Sequence, residues 1–251
     1  MQYLSVSALS HDGRVRDHNE DSLVVGPWTT CATTTRTPQT LVFPLDDPLV
    51  VAVADGLGGH LAGELASSVV VQEIARLAPL LVDDHSVRAA LHSCNSAVYA
   101  AAGEDAHRVG MGTTVAGVVV SPDNLVVFNV GDSRVYAAHK GSLSRLSVDD
   151  SPPLRPGERS TSIVTQTMGG KPSHTAIDPH VSTLPVDLSS RYLVCTDGLS
   201  DAITDDAIAP LLTEHSGLAA VVELWRAAMQ AGGPDNITLA VVEIMEHDTP
   251  G

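Results

Sequence analysis

The chain is expected to fold as an α+β protein in which one antiparallel sheet packs on another and helices lie outside. Three observations predict this. Apolar runs of strand length come in groups, as at 116–120, 125–130 and 135–138. Helical patterns fall between those groups, two of them back to back, instead of alternating strictly with strands as in a doubly wound parallel sheet. No internal repeat and no linker-like break in composition divides the 251 residues, so one domain spanning 1–251 is the economical reading.

Tyr3 to Leu9 alternates as a half-buried strand and leads into a charged turn that runs from Gly13 to Asp21. Leu23, Val24 and Val25 then resume a strand. Acids are poor strand formers, so Glu20 and Asp21 at a strand's start point to a site, while Arg16 reads either as a solvated loop residue or as part of that site. Residues 26–48 are rich in threonine and proline with an apolar interlude at Leu41 to Phe43. They read as an enlarged loop or irregular hairpin near the rim of whatever the flanking strands build.

The stretch VVAVADGLGGHLAGE, Val50 to Glu64, organises the rest. A valine-rich strand delivers Asp55 to its own end, where Gly56, Gly58 and Gly59 let the backbone turn and expose its carbonyls. That suits a hard cation with oxygen ligands, although glycine-rich turns of this kind also cradle phosphates or simply turn. Two amphipathic helices follow. Ala66, Val70, Ile74 and Leu77 share one face of the first; Val87, Leu91, Cys94 and Val98 share one face of the second, with Ser86 as its expected N-cap. His92 and His107 are expected on the surface and Cys94 in the core.

Beyond Gly112-Thr113-Thr114, strands at 116–120, 125–130 and 135–138 are separated by Pro122-Asp123-Asn124 and by Gly131-Asp132, a pattern that predicts antiparallel hairpins. Asp132 in isolation reads as a turn residue. Residues 149–173 read as a loop-rich connection. Arg191 to Thr196 is a further strand that ends, like the earlier one, in an acid and a glycine, Asp197-Gly198, with Asp201 beyond. A third helix carries Leu218, Val221, Val222, Trp225 and Met229, and Asp235-Asn236 opens a last strand over 237–244.

With 14 lysines and arginines against 30 acids, the net charge of −16 disfavours nucleic acid and anionic membranes and suits a basic partner or bound cations. Cys31, Cys94 and Cys195 have neither paired-thiol nor zinc spacing, so reduced thiols are expected. No leader pattern or membrane-length apolar run is legible, which leads to the expectation of a cytoplasmic protein.

Glu20, Asp21, Asp55, Asp132, Asp197, Asp201 and Asp235 all stand at strand ends or glycine turns. If these ends converge, the carboxylates repel one another unless cations sit between them. Two hard divalent ions bridged by one aspartate and a water would satisfy them, and such a pair activates water for phosphoryl displacement. The absence of Cys/His spacing favours Mg or Mn over zinc.

The motifs Gly13-x-x-Arg16-x-x-Asn19-Glu20-Asp21, Asp55-Gly56-x-Gly58-Gly59-His60, Gly112-Thr113-Thr114, Gly131-Asp132-Ser133-Arg134, Thr196-Asp197-Gly198 and Asp235-Asn236 together resemble the metal-dependent PP2C-type (PPM) protein serine/threonine phosphatases, in their bacterial form. The resemblance spans nearly the whole chain. It implies an antiparallel β-sandwich flanked on both faces by helix pairs, and hydrolysis of phosphoserine and phosphothreonine in proteins by direct attack of a hydroxide bridging two Mn or Mg ions.

By the same resemblance Asp55 bridges the ions, and the Gly56 carbonyl, Asp197 and Asp235 complete the directly bound set. Glu20 and Asp21 hold metal-bound waters, Arg16 grips the substrate phosphate, and His60 is a candidate acid for the leaving alkoxide. A weaker third ion maps to Asp132 with Asp197, and Arg134 is expected to pair with an acid near its turn. Phosphorylated proteins, serine/threonine kinases among them, are the expected partners of a monomer. The chain departs from the family pattern in two places. Asp150 stands where a histidine is usual, in a shortened flap at 149–164, and the 26–48 loop is enlarged, so that it offers a substitute rim.

Overall fold

A computed structural model of the chain describes residues 2–58, 61–153, 161 and 163–246. In chain order the first elements are β1 (Gln2–His11), β2 (Ser22–Val25), β3 (Trp28–Cys31), β4 (Gln39–Pro44), β5 (Leu49–Ala54) and the short β6 (Gly56–Leu57). Helices α1 (Leu61–Leu77) and α2 (Asp84–Ala102) follow, then β7 (Gly112–Thr113), β8 (Val115–Val120), β9 (Asn124–Val130), β10 (Arg134–His139) and β11 (Ser142–Arg145). The last third holds β12 (Met168–Gly169), β13 (His180–Pro185), β14 (Arg191–Cys195), α3 (Asp197–Ser200), α4 (Asp205–Glu214), α5 (Gly217–Gln230) and β15 (Ile237–Glu246).

The strands form two six-stranded antiparallel sheets, ordered β11-β10-β14-β15-β1-β4 and β13-β9-β8-β5-β2-β3, and a three-stranded ribbon, β12-β7-β6. The alternation of β5 shows how the layers arise. Val51 and Val53 pack between the sheets against Val6, Val118 and Val242. Val50, Ala52 and Ala54 turn the other way, onto Val70 and Ile74 of α1 and Leu91 of α2. Both faces of β5 are covered, which is why its sequence is continuously apolar. On the far side Leu193, Leu239 and Val241 meet Ile208 and Leu212 of α4 and Val221 and Leu224 of α5. The expected order of helices, sheet, sheet, helices is therefore observed, and each fully buried Val or Leu contributes about 1.5–3 kcal/mol to it.

Several local expectations are corrected. Residues 26–48 are not one loop, because Trp28 pairs with Val25 in a tight hairpin and β4 crosses to the edge of the other sheet, beside β1. Threonines and the Leu41–Phe43 run favour strand, and the prolines keep that strand at an edge. The turn at Gly131-Asp132 is not a hairpin. Strand β9 belongs to one sheet and β10 to the other, and Gly131, at φ +100°, makes the crossover. The N-cap of α2 is Asp83, with Ser86 closing a reciprocal capping box. Helix α4 is not expected from the sequence, because Pro210 lies inside it, yet burial of Ile208 and Leu212 outweighs the lost backbone bond. Cys94 is in the core, and His92 and His107 are exposed, as expected. Among the described residues no helix is long and apolar enough to cross a membrane.

Candidate metal centre

Strand ends from both sheets meet at one end of the sandwich around a cavity of about 250 Å³. Arg16, Glu20, Asp55, Gly56, Asp132, Asp197 and Asp235 all line it. Asp21 is fully buried and does not line it. Its Oδ2 accepts from Thr196 Oγ1, next to Asp197, so it sits behind the cavity wall. His60 lies outside the described residues, as do 154–160 and 162 of the shortened flap. His18, Leu57, Gly58, Val164 and Asn236 also line the cavity; the sequence signal for His18 was its place between Arg16 and Glu20, whereas Val164 had none.

The residues beside each acid hold it in place. Thr113 Oγ1 and the Thr114 amide both donate to the Asp55 carbonyl, at 2.7 and 2.9 Å, and the Asp55 amide donates back to Thr114 Oγ1. Thr114 Oγ1 is also 2.7 Å from Ser133 Oγ, which ties this corner to the Asp132 turn. Asn236 accepts from the Glu20 amide and donates to the carbonyls of Asp12 and His18, so it staples the first charged turn to the last. Gly198 follows Asp197 because a Cβ there would sit 1.8 Å from the Asn236 carbonyl. Arg134 binds Asp149 with Nε and Nη2, and lines the neighbouring cleft, not this cavity.

The electrostatics are those of a site where carboxylates outnumber cationic side chains. Burial pushes Asp21 up to about 7 and Asp197 up to about 8, the latter with help from the Asp132 charge. Asp55 is driven well above the usual carboxylate range by burial and by the charges of Asp197 and Asp21. Asp132, also through burial, is raised to about 6. Arg16 answers part of this, donating to Asp235 Oδ2 at 2.9 Å, a hydrogen bond that holds its guanidinium above its ordinary pKa.

The residues present fit divalent cations. Asp21 Oδ1 and Asp197 Oδ1 are buried without a hydrogen-bond partner, a cost that a hard ion or its waters would remove. Among the described residues no three His, Cys, Asp or Glu side chains form a ready-made cage around a single point. The donors are instead carboxylates spread along one cavity that Gly56 also lines, a set suited to ions that retain water ligands.

A family model described as protein phosphatase 2C matches residues 40–237. The chain belongs to the protein phosphatase 2C family. It is 28% identical over 265 residues to the serine/threonine protein phosphatase PstP of Mycobacterium tuberculosis, an alignment covering 98% of this chain and 46% of PstP. It thus spans about half the length of that relative. To the serine/threonine phosphatase stp of Listeria monocytogenes it is 28% identical, with 92% of each chain covered. Among solved structures, the catalytic domain of PstP in complex with two manganese ions superposes with a TM-score of 0.79 at 29% identity, covering 98% of this chain and 100% of that one.

Proposed function

We propose that this family member hydrolyses phosphoserine and phosphothreonine in proteins by direct attack of a hydroxide on phosphorus, without a covalent phosphoenzyme. The observation that carries the reading is the convergence of Glu20, Asp55, Asp197 and Asp235 on one cavity with Arg16 beside them. Two Mn or Mg ions, when bound, supply an activated water near neutral pH and neutralise charge on the transferring phosphoryl group. Asp55, the Gly56 carbonyl, Asp197 and Asp235 would hold these ions in this reading, and Asp132 with Asp197 would hold a weaker third one. Glu20 and Asp21 order the surrounding waters.

Arg16 presents a planar fork that matches two phosphate oxygens, and its bond to Asp235 orients that fork. The role of proton donor to the leaving alkoxide is assigned to His60. Phosphorylated proteins, kinases among them, are the proposed substrates of a cytoplasmic monomer. The test is hydrolysis of a phosphothreonine peptide by metal-stripped protein with Mn or Mg restored, beside Asp55→Asn and Asp235→Asn. Turnover that needs the metal and disappears in both variants is the expected result. Turnover retained in both would overturn the assignment.

A further inference from the structure

We propose that Asp150 and His180 form a clasp that holds the Val164 wall of the cavity and adapts it to phosphate carried on a peptide. This inference rests on the phosphatase reading above. Val164 lines the cavity from a segment without regular secondary structure, so tethers must set its position. Two of them come from Asp150. The Thr165 amide donates to the Asp150 carbonyl at 2.7 Å, and Gln166 Nε2 donates to Asp150 Oδ2 at 2.9 Å.

Asp150 is itself fixed at two other places. Its amide donates to the Gly131 carbonyl at 3.0 Å and its Oδ2 accepts from the Gly131 amide at 2.8 Å, beside Asp132 of the cavity. Its Oδ1 lies 2.9 Å from His180 Nε2, at the start of β13. The carboxylate therefore joins the β9–β10 crossover, the Val164 segment and the second sheet, and its side chain is only 13% exposed. Gln166 extends the join, with Oε1 accepting from the Asp178 amide and Nε2 donating to the Asp178 carbonyl. The residue that departs from the family pattern is thus the one on which this wall hangs, and its imidazole partner comes from β13.

A phosphoryl group gains nothing from an apolar contact, whereas the residues flanking it in a peptide do. Holding Val164 in place is therefore a device for the carrier and not for the phosphate, which makes Asp150 and His180 positioning residues. The test compares His180→Ala with the donor-retaining His180→Gln in the Mn-loaded protein, on a phosphothreonine peptide and on free phosphothreonine, which has no flanking residues. His180→Ala is expected to raise the peptide KM roughly tenfold while both constants for free phosphothreonine stay within about twofold, and His180→Gln is expected to restore the peptide KM.

Amide exchange in the metal-free protein gives a readout that needs no turnover. Exchange at Thr165 and Gly131 is expected to quicken about tenfold in His180→Ala, with α1 unchanged. Unaltered protection at both amides, or an equal rise in KM for the two substrates, would overturn the clasp. Wild-type protein that turns over neither substrate would sink the phosphatase reading instead, and the exchange data would still decide whether the clasp exists.

Discussion

Thr196 Oγ1 donates to Asp21 Oδ2 at 2.9 Å, in the interior and across 175 residues of sequence. The same oxygen accepts from the Thr238 amide at 3.0 Å, so one hydroxyl links the acid behind the cavity wall to the last strand. Thr196→Val keeps the shape, leaves the Thr238 amide without its acceptor and removes one of the donors to Asp21. A loss of about 1–3 kcal/mol in denaturant unfolding is expected. Titration calorimetry should show Mn binding weakened by roughly 10- to 100-fold, as when a group supporting a ligand is removed. Unchanged affinity would mean that Asp21 takes no part in holding the ions.

Arg16 reaches Asp235 from a turn 219 residues away. Because a planar fork matches phosphate and an ammonium does not, Arg16→Lys should behave nearly as badly as Arg16→Ala, each lowering kcat/KM on a phosphopeptide by roughly 10- to 100-fold. Full activity in the lysine variant would reduce Arg16 to a point charge.

The raised carboxyls give the metal-free protein a pH dependence of definite sign. A carboxyl whose folded pKa exceeds its unfolded value near 4 binds its proton more tightly in the folded state, so stability is greatest at low pH and falls as pH rises. For Asp132, Asp21 and Asp197 the window runs from about 4 to their folded values of about 6, 7 and 8. Thermal unfolding in chelator should show Tm contributions from these groups falling across that window, and saturating Mn should flatten the fall. A metal-free profile equally flat would show that the acids do not interact as described.

Asp149 serves two arginines. Nη2 of Arg134 and Nη1 of Arg145 each lie 2.8 Å from its Oδ2, and the side chains of Arg134 and Asp149 are 15% and 13% exposed. Asp149→Ala leaves the half-buried Arg134 charge without its carboxylate, and a loss of about 1–3 kcal/mol in chemical denaturation is expected. Arg145 is more exposed, so Arg145→Ala should cost about 1 kcal/mol or less. Equal costs would contradict this division.

Much of the architecture was legible before any coordinates. The valine-rich run of β5, the helical stripes of α1 and α2, and the recurrence of an acid followed by glycine at Asp55 and Asp197 are properties of short windows, and short windows follow local propensity and period. Helix α4 was hidden by Pro210, whose local signal opposes what burial of Ile208 and Leu212 decides. Strands β3 and β4 were hidden because edge strands carry weak alternation and tolerate proline.

The sequence alone determined which acids stand at strand ends and which faces of the elements are apolar, since both depend on residues only a few positions apart. The tertiary structure decided what each acid touches. That Thr196 meets Asp21, that Arg16 meets Asp235 and that Asp150 meets His180 all depend on the order of strands in two sheets and on the Gly131 crossover between them. A hydrogen bond is made within a few tenths of an ångström, and such distances are set by packing layers together, a global outcome that no local window contains.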